Sequence, residues 1–349
     1  MIGLIMVGGR GTRFWPLSTK KTPKQLIDFN GSGPMIKVTV DRLKPIIDNK
    51  NFFIVTSKTI VKPMKKILPE IPNIIGEPEG KNTAPCIAMI TGMLLKENSE
   101  EVMGVFPGDH FIMKPDEFIR ILTAAEKAAV EKNALVTIGI KPEFAHTGYG
   151  YIEYVKDGSE YCRVIKFYEK PDKSKAESFI EAGNYLWNAG IFVWKVKIIA
   201  EEFRKYQPKM YESLIRISEA SPKKLTSVIK KEYSLMQKIS IDYAIMEKSD
   251  NIFTLPASIG WNDVGSWTNI SSVNKLDENN NSITAYAGVI INSSNNVVNC
   301  AGKTVALVGV ENLIVVENNG SILICNRNND QLVGKIPDIL EQRGLGKYI

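Results

Sequence analysis

A short apolar segment near the start of the chain runs directly into a glycine-rich, basic loop, and this junction constrains the fold more than any other feature. Ile2–Val7 has the composition of a buried strand. Residues 8–25 read GGRGTRFWPLSTKKTPKQ, with cations at Arg10, Arg13 and Lys24. The glycines let the backbone turn tightly and bring its N–H groups against an anion. Such a loop at the carboxyl end of a first strand predicts an α/β fold that binds a polyphosphate.

Two common glycine-loop motifs do not fit this segment. A P-loop requires Gly-Lys followed by Ser or Thr, and no such tripeptide occurs in residues 8–25. The dinucleotide fingerprint requires a glycine three residues after Gly11, where Phe14 stands. The glycines alone are also compatible with a plain strand-to-helix connection, but the added cations favour phosphate binding.

The composition is that of an ordinary globular enzyme. A chain of 349 residues can hold one large α/β domain and a smaller appendage. Its net charge of +6 is scattered, which favours a solvated surface over a nucleic-acid interface. No apolar stretch approaches the length of a membrane span, and the 4 cysteines are far apart, as in a reducing compartment. We therefore expect a cytoplasmic protein without nucleic-acid or membrane partners.

Strand and helix patterns alternate through the first two thirds of the chain. Residues 52–56, 102–106 and 134–140 are strand-like, and residues 117–130 have one apolar helical face, with Asp116 as the expected N-cap. Residues 149–155 and 164–168 form two further strand-like runs without a helix between them, which predicts a hairpin or an excursion over the sheet. This order predicts a Rossmann-like domain with a mixed, mostly parallel sheet.

The composition changes after a polar break at residues 277–281. Brief β-branched runs follow at 283–286, 289–291, 297–298, 305–308, 313–316 and 322–325. They predict a small β-rich C-terminal domain, for which a few coils of a solenoid such as a left-handed β-helix are one option. A short helix is expected near residues 336–342. The predicted domains are thus residues 1–276 and 282–349.

Two aspartates have the setting of a magnesium site. Asp109 follows the strand-like residues 102–106, and Asp263 lies between glycines in residues 260–267. Magnesium binds to one or two protein carboxylates together with waters and phosphate oxygens. Either aspartate alone is more typical of a turn, so the polyphosphate loop is what favours the metal.

Three other polar segments are candidates for substrate binding. Glu169 and Lys170 follow a strand and suit sugar hydroxyls and a phosphate, although taken alone they are better explained as a surface ion pair. Asn188 offers a carboxamide for a hydroxyl, or simply begins a strand. Residues 77–85 form a polar loop that suits a base edge, or a helix N-terminus capped by Asn82 or Thr83.

Taken together, these segments resemble the sugar-nucleotide pyrophosphorylases, and within them the bacterial mannose-1-phosphate guanylyltransferases. The matching blocks occur in the expected order at residues 8–25, 77–85, 107–110, 147–152, 169–171, 187–192, 240–248 and 260–267. The resemblance is strong over residues 1–270 and looser in the β-rich tail. Residues 82–85 and 260–267 favour the mannose–guanosine branch over the glucose–thymidine and glucose–uridine branches.

The resemblance implies that GTP and mannose 1-phosphate are converted to GDP-mannose and pyrophosphate with Mg²⁺ or another divalent cation. The sugar phosphate is already an anion when it attacks the α-phosphorus, so the task is positioning and electrostatics. By the same resemblance, the expected catalytic residues are Arg13, Lys24, Asp109, Lys170 and Asp263, with Asp109 and Asp263 as metal ligands. The nucleotide would contact Gly8, Gly9, Arg10, Gly11, Thr12, Glu79, Asn82, Thr83 and Gly108. The sugar phosphate would contact Gly148, Glu169, Lys170 and Asn188.

Two alternatives remain at this level. One is a pyrophosphorylase for another hexose or nucleotide, because one or two hydroxyl contacts set that choice. The other is a non-catalytic sugar-nucleotide sensor, which the presence of Arg13, Asp109 and Asp263 disfavours. Exposed edges on a short β-rich tail favour pairing between subunits, so we expect a homodimer.

Overall fold

The computed structural model describes residues 1–349, and the chain packs into two units that interleave along the sequence. The first unit contains Met1–Gly8, Arg42–Pro107 and Lys114–Trp261. The second contains Gly9–Asp41, Gly108–Met113 and Asn262–Ile349.

A nine-stranded mixed sheet organises the first unit. Its strands are β1 (Ile2–Val7), β2 (Phe52–Ser57), β3 (Asn73–Glu77), β4 (Val102–Pro107), β6 (Leu135–Ile140), β7 (Tyr151–Tyr154), β8 (Cys162–Tyr168), β9 (Tyr185–Lys195) and β10 (Ile252–Ala257). Two short strands, β5 (Phe111–Ile112) and β11 (Trp261–Asn262), form a separate pair where the chain passes into the second unit.

The strand order in the large sheet is β3-β2-β1-β4-β9-β6-β10-β8-β7. Strands β1 to β4 run parallel to one another, and β6 is parallel to β10. Strand β9 is antiparallel to both β4 and β6, which joins the two parallel parts into one mixed sheet. The predicted hairpin is confirmed, because β7 pairs antiparallel with β8.

Helices cover this sheet. They are α2 (Val61–Ile67), α3 (Thr83–Asn98), α4 (Pro115–Lys132), α5 (Lys173–Ala182), α6 (Val196–Tyr206), α7 (Pro208–Ser218) and α8 (Leu225–Leu235), with a π-helical turn at Asp242–Met246; α1 (Met35–Leu43) spans both units. The apolar face predicted for residues 117–130 is buried in α4, including Phe118 and Leu122. The predicted cap is wrong: α4 begins at Pro115, its N-cap is Lys114, and Asp116 lies in the first turn. None of the helices combines the length and apolar character needed to cross a membrane.

The second unit contains the glycine-rich loop and the β-rich tail. Its further elements are α9 (Trp267–Ile270), β12 (Ser282–Ile291), β13 (Val297–Val308), β14 (Leu313–Asn318), β15 (Ser321–Asn326) and α10 (Ile336–Gln342). Short 3₁₀ helices occur at Thr12–Phe14, Lys24–Leu26, Arg327–Lys335 and Gly346–Tyr348, and another at Asn49–Asn51 lies in the first unit. The helix expected near residues 336–342 is therefore confirmed as α10.

The β-rich tail consists of coils stacked in parallel. Ser282 lies opposite Val297, and Val297 lies opposite Ile314, so successive coils are offset by 15 and 17 residues. Strand β15 then folds back antiparallel on β14. Parallel neighbours joined by so short a connection require a solenoid coil, because an ordinary crossover needs a dozen or more residues. This is the β-helix-like arrangement that the sequence left as one option.

Four of the six short runs expected in this tail belong to two longer strands. Residues 283–286 and 289–291 are both in β12, which has a register shift between Ala285 and Ala287. Residues 297–298 and 305–308 are both in β13. Glycines and polar residues inside β12 and β13 interrupt the apolar pattern, so the sequence predicted separate short strands.

The two packing units do not follow the single boundary that was predicted between residues 276 and 282. In the second unit, Phe14 and Phe29 share one apolar core with Trp267, Val297 and Ile314. The rings of Phe14 and Trp267 make an edge-to-face contact with centroids 5.3 Å apart. Burial of these side chains draws residues 9–41 into the same unit as the tail. A division based on position in the chain cannot reveal this.

Candidate functional site

The glycine-rich loop is exposed where a ligand would approach and tightly packed beneath. Gly8, Gly9 and Arg10 are exposed, and a Cβ on Gly8 or Gly9 would meet no atom within 4 Å. Gly11 has φ of +60°, and a Cβ there would lie 2.6 Å from Lys24 Cβ. The Ser18 hydroxyl donates to the Arg10 carbonyl at 2.6 Å, which closes the loop on itself. Glycine is therefore required at position 11 both by conformation and by space.

Lys24 joins the loops that carry the two predicted metal-binding aspartates. Its side chain is buried, and Nζ lies 3.0 Å from Asp109 Oδ2 and 3.2 Å from the Asp109 carbonyl. The same ammonium group donates to the main-chain oxygen of Asp263 at 2.7 Å. Asp109 and Asp263 are 85 and 239 positions from Lys24 in the sequence, yet both contact its ammonium group within the second unit.

Arg13 completes this group of charged residues. Its Nη1 lies 3.5 Å from the Gly265 carbonyl. A Cβ on Gly265 would be 3.6 Å from Asp263 Oδ2 and 3.9 Å from Arg13 Nη1, so both charged groups border the same space. We call Arg13, Lys24, Asp109 and Asp263 the loop cluster.

The backbone beside Asp263 is strained. Val264 has φ of +42°, which is a rare conformation for a β-branched residue, and its side chain is fully buried. The Val264 N–H donates to Asn262 Oδ1 at 2.7 Å. Strain of this kind is retained where surrounding contacts impose it, and it is concentrated at functional sites.

A second group of polar residues lies in the first unit, at the ends of β8 and β9. Lys170 Nζ pairs with Glu169 Oε1 at 2.7 Å, and this contact raises the pKa of Lys170. The Glu169 side chain is mostly buried, whereas that of Lys170 is exposed. Lys170 has φ of +48°, so this turn is also strained.

Asn188 of β9 connects to this pair through a residue without a predicted role. Its Nδ2 donates to Asp242 Oδ1 at 2.9 Å. Asp242 begins the π-helical turn, and burial, followed by the charge of Glu169, raises its pKa to about 6. We call Glu169, Lys170, Asn188 and Asp242 the β8–β9 cluster.

Two of the residues expected near the base, Asn82 and Thr83, make hydrogen bonds at the start of α3. Asn82 is the N-cap, and its side chain accepts from the Thr83 N–H at 2.9 Å. The Thr83 hydroxyl accepts from the Ile241 N–H at 2.8 Å. Glu79 is exposed and pairs with Lys81 at 3.3 Å. The helix-cap alternative for Asn82 is therefore realised, and contact with a base stays a prediction.

The two remaining predicted glycines have different surroundings. Gly108 is buried next to Asp109, in the second unit. Gly148 is exposed and donates its N–H to His146 Nδ1 at 3.0 Å, in the first unit. Contact between Gly148 and a sugar stays a prediction.

Comparison with known proteins places this arrangement in a family. The sequence model of the family described as nucleotidyl transferase matches residues 2–280, which include both clusters. The chain belongs to the nucleotidyl transferase family. A second model, described as the MannoseP isomerase/GMP-like beta-helix domain, matches residues 287–340 of this nucleotidyl transferase.

Relatives of the nucleotidyl transferase align along its whole length. It is 32% identical to mannose-1-phosphate guanylyltransferase 2 of Escherichia coli O157:H7, over 100% of this chain and 75% of the relative. It is 34% identical to the alginate biosynthesis protein AlgA of Pseudomonas putida, over 99% of this chain and 72% of the relative. This chain therefore spans about three quarters of their length.

A solved structure has the same fold. A protein of Thermus thermophilus, described as a mannose-1-phosphate geranyltransferase, superposes with a TM-score of 0.87 at 28% identity. The superposition covers 97% of the nucleotidyl transferase and 99% of the solved chain. Both the α/β sheet and the β-rich tail are therefore shared.

The loop cluster suits the divalent cation that nucleotidyl transferases generally use. Its carboxylates are Asp109 and Asp263, and no group of three or more His, Cys, Asp or Glu side chains occurs that would form a complete protein site. Two carboxylates fit a magnesium ion whose other ligands are waters and phosphate oxygens. They do not fit a closed structural zinc site, which needs four protein ligands.

Sequence reasoning missed Asp242 and Gly150. A Cβ on Gly150 would lie 2.6 Å from Glu169 Oε2, so this glycine makes room for the carboxylate. Asp242 lies within residues 240–248, one of the blocks that carried the resemblance. No single-sequence signal connects it to Asn188, because that contact depends on a turn 54 residues away.

Proposed function

We propose that this nucleotidyl transferase forms GDP-mannose and pyrophosphate from GTP and mannose 1-phosphate. The phosphate oxygen of the sugar attacks the α-phosphorus of GTP in line, and pyrophosphate leaves. The family match and the guanylyltransferase relatives support this reaction. The observation that carries the proposal for this chain is the convergence of Lys24 with both aspartate loops.

In this proposal the loop cluster handles the triphosphate. Arg13 and Lys24 offset the charge on the phosphates and on the leaving pyrophosphate, while residues 8–12 and Gly108 supply further contacts. A charge pair about 4 Å apart contributes roughly 4 kcal/mol at an effective dielectric of 20. Because Lys24 is already fixed by three oxygens, it needs no reorganisation when charge accumulates in the transition state.

Asp109 and Asp263 would hold the divalent cation in the same cluster. When bound, the cation would neutralise charge on phosphate oxygens. Lys24 keeps the Asp109 carboxylate in place through a 3.0 Å ion pair. The strained turn at Val264 fixes the backbone that carries Asp263.

The β8–β9 cluster is proposed to bind the sugar phosphate. Lys170 is exposed and fully charged at neutral pH, which suits the 1-phosphate. Glu169 and Asn188 suit mannose hydroxyls, and Gly148 lies on the loop before β7. Glu79, Asn82 and Thr83 are proposed to border the guanine base. Asn82 and Thr83 would do so mainly by holding the start of α3 in place through their hydrogen bonds.

A substrate matrix tests the proposed reaction. Purified protein is given each of GTP, ATP, UTP and dTTP with each of mannose 1-phosphate and glucose 1-phosphate, with and without Mg²⁺, and released pyrophosphate is measured. We expect the highest kcat/KM with GTP and mannose 1-phosphate and no turnover without a divalent cation. A preference for another pair would establish the other pyrophosphorylase, and no turnover with any pair would refute the proposed reaction and favour the sensor.

A homodimer and a cytoplasmic location complete the proposal. Exposed apolar side chains on the tail, such as Tyr286 of β12 and Ile324 of β15, support association between subunits. Light scattering coupled to size-exclusion chromatography measures the first property, and cell fractionation measures the second. A monomer at micromolar concentration would contradict the dimer.

A further inference from the structure

The carboxamide of Asn188 is held from both sides. Its Oδ1 accepts from the Gly190 N–H at 3.1 Å and from the Thr137 hydroxyl at 3.2 Å. Its Nδ2 donates to Asp242 Oδ1 at 2.9 Å. A backbone N–H can only donate and a carboxylate can only accept, so these partners fix the orientation of the amide.

This arrangement leaves Asn188 with one unused hydrogen-bonding group. The amide oxygen accepts from the Gly190 N–H and lies 3.2 Å from the Thr137 hydroxyl, whose one proton is shared with the Ile191 carbonyl, also at 3.2 Å. An amide nitrogen donates two, and one goes to Asp242. Asn188 is partly exposed, and its second N–H makes no hydrogen bond within the protein. Asn188 therefore offers a substrate a hydrogen-bond donor.

A complementary acceptor lies next to this donor. A Cβ on Gly150 would be 2.6 Å from Glu169 Oε2 and 3.8 Å from Asn188 Nδ2. The Glu169 carboxylate oxygen therefore occupies the place that a side chain at position 150 would take, and the Asn188 amide nitrogen lies beside it. A hydroxyl group that reaches both atoms would accept from Asn188 and donate to Glu169.

We propose that Asp242 is a positioning residue for the sugar, whose carboxylate holds the Asn188 carboxamide so that the second N–H can donate to the ligand beside Glu169. The inference rests on the proposed function, because it takes the ligand to be a hexose 1-phosphate. One hydroxyl of the hexose is then recognised as an acceptor by Asn188 and as a donor by Glu169. A deoxy sugar would leave both groups unpaired, which gives strong discrimination.

The unfavourable electrostatic environment of the Asp242 carboxylate supports a functional role for this residue. Its carboxylate is partly shielded from water and lies near the negative charge of Glu169, while its own backbone N–H, Lys170 and the Asn188 amide oppose these effects. It begins a π-helical turn, an irregularity that is frequent at functional sites. An asparagine in its place would hold the same hydrogen bond without the negative charge.

The test compares Asp242→Ala with Asp242→Asn in the full chain. The alanine removes the acceptor for Asn188, whereas the asparagine keeps an oxygen in its place. For Asp242→Ala we expect KM for mannose 1-phosphate to rise about tenfold or more, with KM for GTP within about twofold. For Asp242→Asn we expect both values within about threefold. Asp250→Ala, an exposed carboxylate on the same segment, is the control and should change neither.

Two further measurements separate positioning from a general structural role. In the cycle of Asp242→Ala with Asn188→Ala, the double variant should be no worse than Asn188→Ala alone, because both remove one interaction. In a series of 2-, 3-, 4- and 6-deoxymannose 1-phosphates, one analogue should be a poor substrate for the wild type and lose this disadvantage in Asp242→Ala. Equal increases in both KM values, or additive effects in the cycle, would overturn the proposal.

If Asp242→Ala does not fold, Thr137→Val tests the same carboxamide from its other side. It removes one donor to Asn188 Oδ1 and is expected to raise KM for the sugar phosphate about threefold to tenfold. An unchanged KM would overturn the inference while wild-type turnover still supports the proposed function. A wild type without GDP-mannose synthesis would instead refute the proposed function.

Discussion

Lys24 is a cation kept inside the protein by oxygen atoms from two distant loops. Its side chain is 7% exposed, and it also lies over the ring of Phe14 at 5.6 Å. A buried charge is tolerated only when it is paired, and removing one partner costs about 3–5 kcal/mol. The geometry of the loop cluster is therefore fixed before any nucleotide arrives, which is what electrostatic catalysis requires.

At the residue scale, Arg13→Ala should impair catalysis without affecting folding. Arg13 is exposed, and its one weak contact is to the Gly265 carbonyl at 3.5 Å. Loss of one preorganised donor typically lowers turnover by about 10²–10³-fold. Steady-state kinetics and thermal denaturation measure the two properties, with the exposed Lys21→Ala as the control. Near-normal turnover in Arg13→Ala would remove this residue from the mechanism.

Gly11→Ala should be more damaging than Gly31→Ala. Both glycines have positive φ, +60° and +82°, so both substitutions carry a backbone cost of about 1–2 kcal/mol. Only at Gly11 would the new Cβ also lie 2.6 Å from Lys24 Cβ, whereas nothing is within 4 Å at Gly31. We expect loss of GDP-mannose synthesis and a lower Tm for Gly11→Ala alone. Equal effects of the two would contradict the packing against Lys24.

The stability effect of Asp242→Asn should depend on pH. Folding raises the pKa of Asp242 from 3.8 to about 6, first through burial and then through the charge of Glu169. A group with a raised pKa contributes stability that is full below the unfolded value and is lost as pH rises through the folded value. The shift corresponds to at most about 3 kcal/mol.

Thermal denaturation of both proteins at about pH 4.5 and about pH 7.5 measures this dependence. The difference in Tm, variant minus wild type, should increase toward the higher pH. A difference that is the same at both values would contradict a raised pKa for this carboxyl group.

At the element scale, buried asparagines connect the coils of the tail. Asn296 is fully buried, and its Oδ1 accepts from the Leu313 N–H at 2.9 Å. Its Nδ2 donates to Asn281 Oδ1 at 2.9 Å and to the Val310 carbonyl at 3.1 Å. These bonds satisfy backbone groups that the turns between strands leave unpaired.

Asn296→Ala should therefore loosen the whole tail. It leaves the Leu313 N–H and the Val310 carbonyl without these partners, which we expect to cost about 2–4 kcal/mol. Hydrogen exchange over β12 to β15 should accelerate, while the exposed Asn329→Ala should leave it unchanged. Unaltered exchange in Asn296→Ala would show that the coils do not depend on this ladder.

The sequence predicted elements well where periodicity alone defines them, as in β1, α4 and α10. It failed where tertiary contacts override local pattern. The glycine and polar residues within β12 and β13 resemble turns, yet pairing between coils keeps the strands continuous. The reversal at β9 was also not predictable, because both neighbours of a buried strand present the same apolar composition.

At the scale of the whole molecule, the division into residues 1–276 and 282–349 remains a prediction about domains. The end of the nucleotidyl transferase match at residue 280 and the start of the β-helix match at residue 287 support it. The packing units follow a different division, because Phe14 and Phe29 join the core of the tail. We propose that residues 1–276 expressed alone are less stable than the full chain for this reason.

The meeting of Lys24 with the aspartate loops could be anticipated because each of the three residues lies in a block that carries the family resemblance, at residues 8–25, 107–110 and 260–267. The role of Asp242 could not, because its partner Asn188 is brought to it only by the folded sheet and the π-helical turn. Motifs identify groups that touch the substrate, whereas the groups that orient them depend on three-dimensional packing.

The most direct test of the central claim is kcat for GDP-mannose synthesis by Asp263→Asn at saturating GTP, mannose 1-phosphate and Mg²⁺. Lys24 contacts the main-chain oxygen of Asp263, so this substitution leaves that hydrogen bond in place and removes only the carboxylate charge. We predict a fall of about 10²–10³-fold with Tm unchanged within about 2 °C. A kcat within about threefold of the wild type, in a folded variant, would contradict the account.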